Sequence, residues 1–318
     1  MVLAGLWIIG AIGGYMYALQ QHIPVATALK VLPAFLMEVT FFYVLGSERL
    51  RSRVEKWPPV VIALALTLAA VLPYSEATLA LGSFGINAFL IIAGLAAVVS
   101  FWYVILPQRP GTDVLLLALI GFVWLSRILP QQYPTTFPKL QLPALAQLMW
   151  FRTGIFAMVS LRRSYDVGFG LWPEKRHWRI GVMYYLIFLP IAAVLAWWVG
   201  FAKPRVPPNG WEKTSLLAIA TFFGVLWVLA LGEEFFFRGL LQQWMTTWLG
   251  NDWAGLIAAA VIFGAAHLWF RAFPNWRIVP IAVLLGICCG LAFRQTRSIR
   301  APMVTHALVV TTWRIFFA

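Results

Sequence analysis

Long apolar runs, broken only by short clusters of charge, proline and glycine, recur from one end of this chain to the other. Residues 2–19, 60–71 and 180–200 carry no polar face at helical spacing, so they cannot sit on the surface of a water-soluble helical protein. Runs of this kind match the hydrocarbon thickness of a bilayer when wound as α-helices. Composition agrees: 62% of the 318 residues are hydrophobic and only 11% are charged, against about 25% charged in a soluble domain. Such a chain cannot solvate its own surface. The fold class implied is all-α, a polytopic transmembrane helix bundle of about 8–11 membrane helices.

Reading each apolar run between its breakers predicts helices near 2–20, 26–46, 60–74, 85–106, 114–129, 143–160, 180–200, 214–233, 253–270, 278–294 and 303–317. Residues 234–249 read as a helix that continues past the eighth run. The first run has no Lys or Arg before Lys30 and no clear small-residue cleavage site, so it reads as a retained helix rather than a secretory signal. The excess of Lys and Arg falls on alternate loops, above all 49–56 and 162–179, which favours a cytoplasmic N-terminus in what reads as a prokaryotic cytoplasmic membrane. The expected organisation is an N-terminal hydrophobic region over 1–160, a basic cytoplasmic loop over 161–179, and a C-terminal region over 180–318.

The net charge of +13 would suggest nucleic acid in a soluble protein. Here the basic residues sit in short loops between apolar runs, where topology explains them, and no nucleic-acid module is present. The partner that composition implies is the lipid bilayer; no nucleic-acid partner is expected. Cys288 and Cys289 are adjacent within an apolar run and have neither disulfide nor metal-site spacing.

Ionisable residues inside apolar segments are costly and are the first candidates for chemistry. Glu233 and Glu234 follow the apolar run 216–231, within Gly232-Glu233-Glu234-Phe235-Phe236-Phe237-Arg238-Gly239. Glu234 and Arg238 are four apart with the acid N-terminal, the better orientation for a helical ion pair. Glu233 lies about 100° around the helix, without such a partner. The spacing therefore assigns Glu234 a structural role and leaves Glu233 as a general-base candidate. Two of the four histidines lie in later hydrophobic helices: His267, in Phe263-Gly264-Ala265-Ala266-His267, and His306, in Pro302-Met303-Val304-Thr305-His306. His22 and His177 read as solvated loop residues. Lys30, Glu38 and Arg152 fall within apolar runs and are expected to pair with other helices in a structural role.

The sequence of Glu-Glu-x-x-x-Arg, then Phe-x-x-x-His, then a last His-containing helix resembles the CPBP family. That family comprises CAAX proteases and bacteriocin-processing membrane proteins, and includes the Ras-converting CAAX endopeptidases and prokaryotic CAAX-protease-related proteins. The resemblance covers about residues 180–318. It implies a glutamic intramembrane peptidase without a cofactor, in which Glu233 activates water with help from His267 and His306 helps bind the oxyanion. Glu234, Arg238 and Phe263 would support that site. The family's last motif is His-x-x-x-Asn, and here Val310 stands in place of the Asn. On a regular helix Trp313 lies nearest to the His306 face and is the candidate replacement donor, whereas Thr311 and Thr312 point elsewhere.

Other readings lead to different chemistry. A catalytically impaired membrane scaffold or immunity-type protein would account for Val310. A transporter could use Glu233 and the two histidines as a proton relay, but no inverted repeat supports it. Two histidines and one glutamate are also a recognised zinc set, although no His-Glu-x-x-His helix is present.

Overall fold

The computed structural model describes residues 2–134, 137, 139–163, 167–203, 205–206 and 210–317. Part of the basic loop expected over 161–179, residues 164–166, lies outside them. The described chain is 81% helical and has no strands. Its twelve helices are α1 (Val2–Gln20), α2 (Val25–Gly46), α3 (Glu48–Val54), α4 (Pro59–Ala80), α5 (Ile86–Ile105), α6 (Pro110–Ser126), α7 (Leu142–Leu161), α8 (Lys175–Trp198), α9 (Trp211–Leu249), α10 (Asp252–Trp269), α11 (Val279–Thr296) and α12 (Arg300–Phe316). Among the described residues nine helices are long and apolar enough to cross a membrane. The protein is an integral membrane protein of the all-α, polytopic kind.

Each expected apolar run is a helix, with two corrections. The third does not stop near residue 74 but runs through Pro73 to Ala80. A proline inside a membrane helix is tolerated because neighbouring helices and side-chain hydroxyls satisfy the carbonyl it frees. The second is α3, a seven-residue helix of sequence Glu-Arg-Leu-Arg-Ser-Arg-Val, too short and too charged to register as an apolar run.

The chain divides into two compact units, Met1–Ser164 and Tyr165–Ala318. In the first, α2, α4 and α7 pack around a buried ion pair. Arg152 Nε lies 2.7 Å from Glu38 Oε1, and Arg152 Nη2 also reaches the carbonyl of Ala69 at 3.0 Å. The Arg152 guanidinium stands over the ring of Phe41. Both charges are about 1% exposed, so each requires the other. Lys30 is exposed instead. Nearer one end of this unit, Asp113 accepts from Tyr103 at 2.7 Å and from Arg162 at 2.9 Å.

In the second unit α8, α9, α11 and α12 pack together, and α10 lies on α11. Close approach depends on small residues, as is usual between membrane helices. A Cβ on Gly286 of α11 would come within 2.9 Å of the Cα of Ala260 on α10, and one on Gly181 of α8 would come within 2.7 Å of the Ala301 carbonyl on α12. The turn from α9 to α10 uses Gly250 at φ 64. Asn251 then caps α10, its side-chain oxygen accepting from the backbone N–H of Trp253 and Ala254. Cys288 and Cys289 are free, buried thiols in the apolar core beneath Phe237 and Phe263.

Candidate active site

The long helix α9 is wound as a π-helix over Val225–Ala230 and again over Phe235–Gln242, with the single α-helical stretch Leu231–Glu234 between. Wide turns of this kind are frequent at functional sites, where the extra residue redirects the side chains around it. The stretch held between them carries both glutamates.

Glu234 is fully buried. Its Oε1 accepts from Arg238 Nη1 at 3.0 Å and lies 2.6 Å from His306 Nδ1 on α12. Arg238 continues to α11, donating Nη2 to the carbonyl of Gly286 at 3.2 Å. One turn further along α9, Gln242 repeats the contact on the Gly290 carbonyl at 3.3 Å. Gly286 and Gly290 are four apart, a small-xxx-small pattern that opens the backbone of α11 to side chains from α9. The chain Gly286–Arg238–Glu234–His306 therefore ties three helices together through charge-assisted bonds.

Glu233 points the other way. It lines a cavity of about 780 Å³ together with His267 and His306. Its Oε2 has no hydrogen-bond partner among the described residues, and His306 Nε2 stands 3.8 Å from it. Sequence spacing left Glu233 with no neighbour on its own helix; α12 supplies the neighbour. His267 closes α10, and its Nδ1 is 2.8 Å from the carbonyl of Phe263 one turn back. A carbonyl can only accept, so Nδ1 carries the hydrogen, and Nε2 is the nitrogen left for the cavity. Phe263 itself is fully buried and touches both rings. It is edge-on to His306 at 5.9 Å, 4.6 Å from the His267 ring, and its face lies 4.6 Å under the Arg238 guanidinium.

The rest of the cavity is mostly apolar, walled by Phe188, Ala192 and Ala196 of α8 and by Ile281, Ala282 and Leu285 of α11. Val310 lines it and offers no side-chain hydrogen bond. Trp313 also lines it, stacked between Phe201 at 4.9 Å and Phe317 at 5.6 Å. Contrary to the regular-helix expectation, Thr312 faces the cavity too, where its hydroxyl pairs with Tyr185 at 2.8 Å. Arg205, Arg271 and Arg314 border the same space. Nothing in their spacing along the sequence marks them as neighbours.

His177 is a correction. It is no solvated loop residue but is buried in the first turn of α8, where its Nδ1 accepts from the backbone N–H of Glu174. Among the described residues no three His, Cys, Asp or Glu side chains are grouped so as to hold a metal ion.

An acid pair, a clamping arginine and two helix-borne histidines thus meet at one apolar chamber. Residues 214–312 match the Type II CAAX prenyl endopeptidase Rce1-like family. The match contains Glu233, Glu234, Arg238, Phe263, His267, His306 and Val310, and ends just before Trp313. The chain is also similar to the uncharacterized protein YpbD of Bacillus subtilis, 25% identical over 126 residues, which are 39% of this chain and 59% of that relative. It thus spans little more than half the length of the curated relative it matches. No solved structure matches it.

Proposed function

We propose that this protein is an intramembrane endopeptidase that hydrolyses a peptide bond of a membrane-associated protein or peptide, and that residues 180–318 are its catalytic core. The observation that carries the reading is the contrast between the two adjacent carboxylates. Each leaves its Oε2 without a hydrogen-bond partner, but Glu234 is fully buried and bound through Oε1 to Arg238 and His306, whereas Glu233 faces a cavity shared with two histidines.

In this reading a water lies between Glu233 and Nε2 of His267. Glu233 takes its proton as the water oxygen attacks the scissile carbonyl carbon, and the carbonyl π-electrons move onto oxygen. His306 acts as the imidazolium: its Nδ1–H donates to Glu234, which holds the ring in place, and its Nε2–H donates to the resulting oxyanion. Collapse re-forms the carbonyl and breaks the C–N bond, and Glu233 returns its proton to the leaving amine. By the loop charges, the N-terminus is cytoplasmic.

The test uses the full chain in liposomes with a fluorogenic, prenylated CAAX-type peptide as the probe suggested by the family. The wild type cleaves it, and Glu233→Gln lowers turnover by roughly a thousandfold or more, as loss of a base does. Equal cleavage by both proteins removes Glu233 from the mechanism. A second reading, an impaired scaffold of the same fold, has one specific support: Val310 stands in the cavity wall without a donor. Its signature is a wild type that folds and cleaves nothing.

A further inference from the structure

The N-terminal turns of α8 hold a feature that the catalytic reading does not use. Lys175, Arg176 and Arg179 line a cavity of about 600 Å³ with Ile180, Met183 and Gln295, the last on the final turn of α11. Arg176 is engaged there, donating to the Gln295 carbonyl at 2.9 Å. Lys175 and Arg179 have no carboxylate partner among the described residues, and the adjacent Glu174 is taken by Arg300 at 2.8 Å. The hollow therefore presents two uncompensated cations, and its floor is apolar.

The same face of α8 continues into lipid. At 100° per residue, Lys175, Arg176 and Arg179 share a stripe about 120° wide with Met183, Leu186, Val194 and Trp197, and each of these four is an exposed hydrophobic residue. From Lys175 to Trp197 the helix rises about 33 Å, close to the thickness of a hydrocarbon core. Trp197 and Trp198, 80% and 77% exposed, are then placed at the opposite interface, where indoles concentrate. A ligand that fits must carry a negative group at one end and a long apolar chain below it.

We propose that this hollow is a binding site for the phosphate headgroup of an anionic phospholipid, with an acyl chain lying along the exposed stripe of α8. Charge complementarity selects the headgroup: a zwitterionic lipid brings its own cation into a site that already holds three. Because the opposite face of α8 carries Phe188, Ala192 and Ala196 into the large cavity, a lipid seated here fixes the height of one wall of that cavity in the bilayer.

The full chain in neutral detergent is titrated with phosphatidylglycerol, phosphatidylcholine or soluble glycerol phosphate, and Tm is followed. Phosphatidylglycerol raises Tm, phosphatidylcholine and glycerol phosphate do not, and Lys175→Gln/Arg179→Gln shifts the phosphatidylglycerol midpoint upward by roughly tenfold to thirtyfold, the worth of two cations at a membrane surface. Arg176 is left in place because it also holds α11. Removing two exposed charges elsewhere, in Arg49→Gln/Arg53→Gln, leaves the midpoint unchanged, and the charge-conserving Lys175→Arg/Arg179→Lys retains the response. An unshifted midpoint in Lys175→Gln/Arg179→Gln, or an equal response to phosphatidylcholine, overturns the proposal. An equal response to glycerol phosphate also overturns it, by pointing to a soluble anion instead.

Discussion

His306 Nδ1 stands 2.6 Å from Glu234 Oε1, the same oxygen that Arg238 Nη1 approaches at 3.0 Å. One carboxylate oxygen thus receives donors from its own helix and from α12, seventy-two residues away. All three side chains are at most 2% exposed. A buried carboxylate in this position is a joint between helices first, and it acts on chemistry only through the ring it orients.

Glu234→Gln should accordingly destabilise the protein. The amide keeps an acceptor of the same shape but removes the charge that balances Arg238, and an uncompensated buried cation costs about 3–5 kcal/mol. A fall in the thermal unfolding midpoint of the purified variant in detergent checks this. Glu233→Gln, whose oxygen has no protein partner, should unfold within about 1 kcal/mol of wild type. If the two variants lose stability equally, the division of labour between the adjacent acids is wrong.

Gly286 has no room for a side chain. Its Cβ would meet the Cα of Ala260 at 2.9 Å and the Ala260 carbonyl at 3.1 Å, and backbone on a packed helix cannot give way cheaply. Gly286→Ala should cost about 1–3 kcal/mol by overpacking and should push α11 off α10, loosening the Arg238 contact with the Gly286 carbonyl. Unfolding measurements read the first effect. An unchanged midpoint would mean that α10 and α11 can separate freely.

The N-terminal unit offers a sharper test of buried charge. Removing only the acid, in Glu38→Gln, leaves Arg152 buried beside one backbone carbonyl and should cost about 3–5 kcal/mol. Replacing both, in Glu38→Leu/Arg152→Met, should recover most of that loss, since a dry apolar pair avoids the desolvation of two ions. A double variant no more stable than Glu38→Gln would show that the pair does more than satisfy itself.

The helices were legible because apolar length is written directly into a membrane sequence, where the solvent leaves few alternatives to a helix. What escaped was short or unusual in winding: α3 has only seven residues, and the π turns on either side of Leu231–Glu234 leave no apolar period to read. At the candidate site, the ion pair of Glu234 with Arg238 followed from spacing of four. That His306 would reach back to Glu234, or that Glu38 would find Arg152, could not follow, because no local pattern encodes a contact between residues so far apart in the chain. His177 was misread for a related reason. A histidine in a basic stretch looks solvated until the backbone N–H it accepts from is known.

The donor set opposite His306 decides whether the site is competent. Val310, four residues on, supplies nothing, so an active enzyme needs a second donor from another residue. Trp313 lines the cavity, and its indole is held between Phe201 and Phe317, which fixes the ring plane and hence the direction of its N–H. Trp313→Phe keeps an aromatic ring in that stack while deleting the donor. If the indole serves the oxyanion, turnover of an active wild type falls by roughly tenfold to a thousandfold with little change in KM. Val310→Asn places an amide in the same wall and should be tolerated, or should raise the rate. The competing outcome is a wild type that cleaves nothing and a Val310→Asn variant that does, which would make the natural protein an impaired member of its fold. Unchanged kinetics in Trp313→Phe would leave the hydroxyl of Thr312, already bonded to Tyr185 at 2.8 Å, as the next side chain to remove.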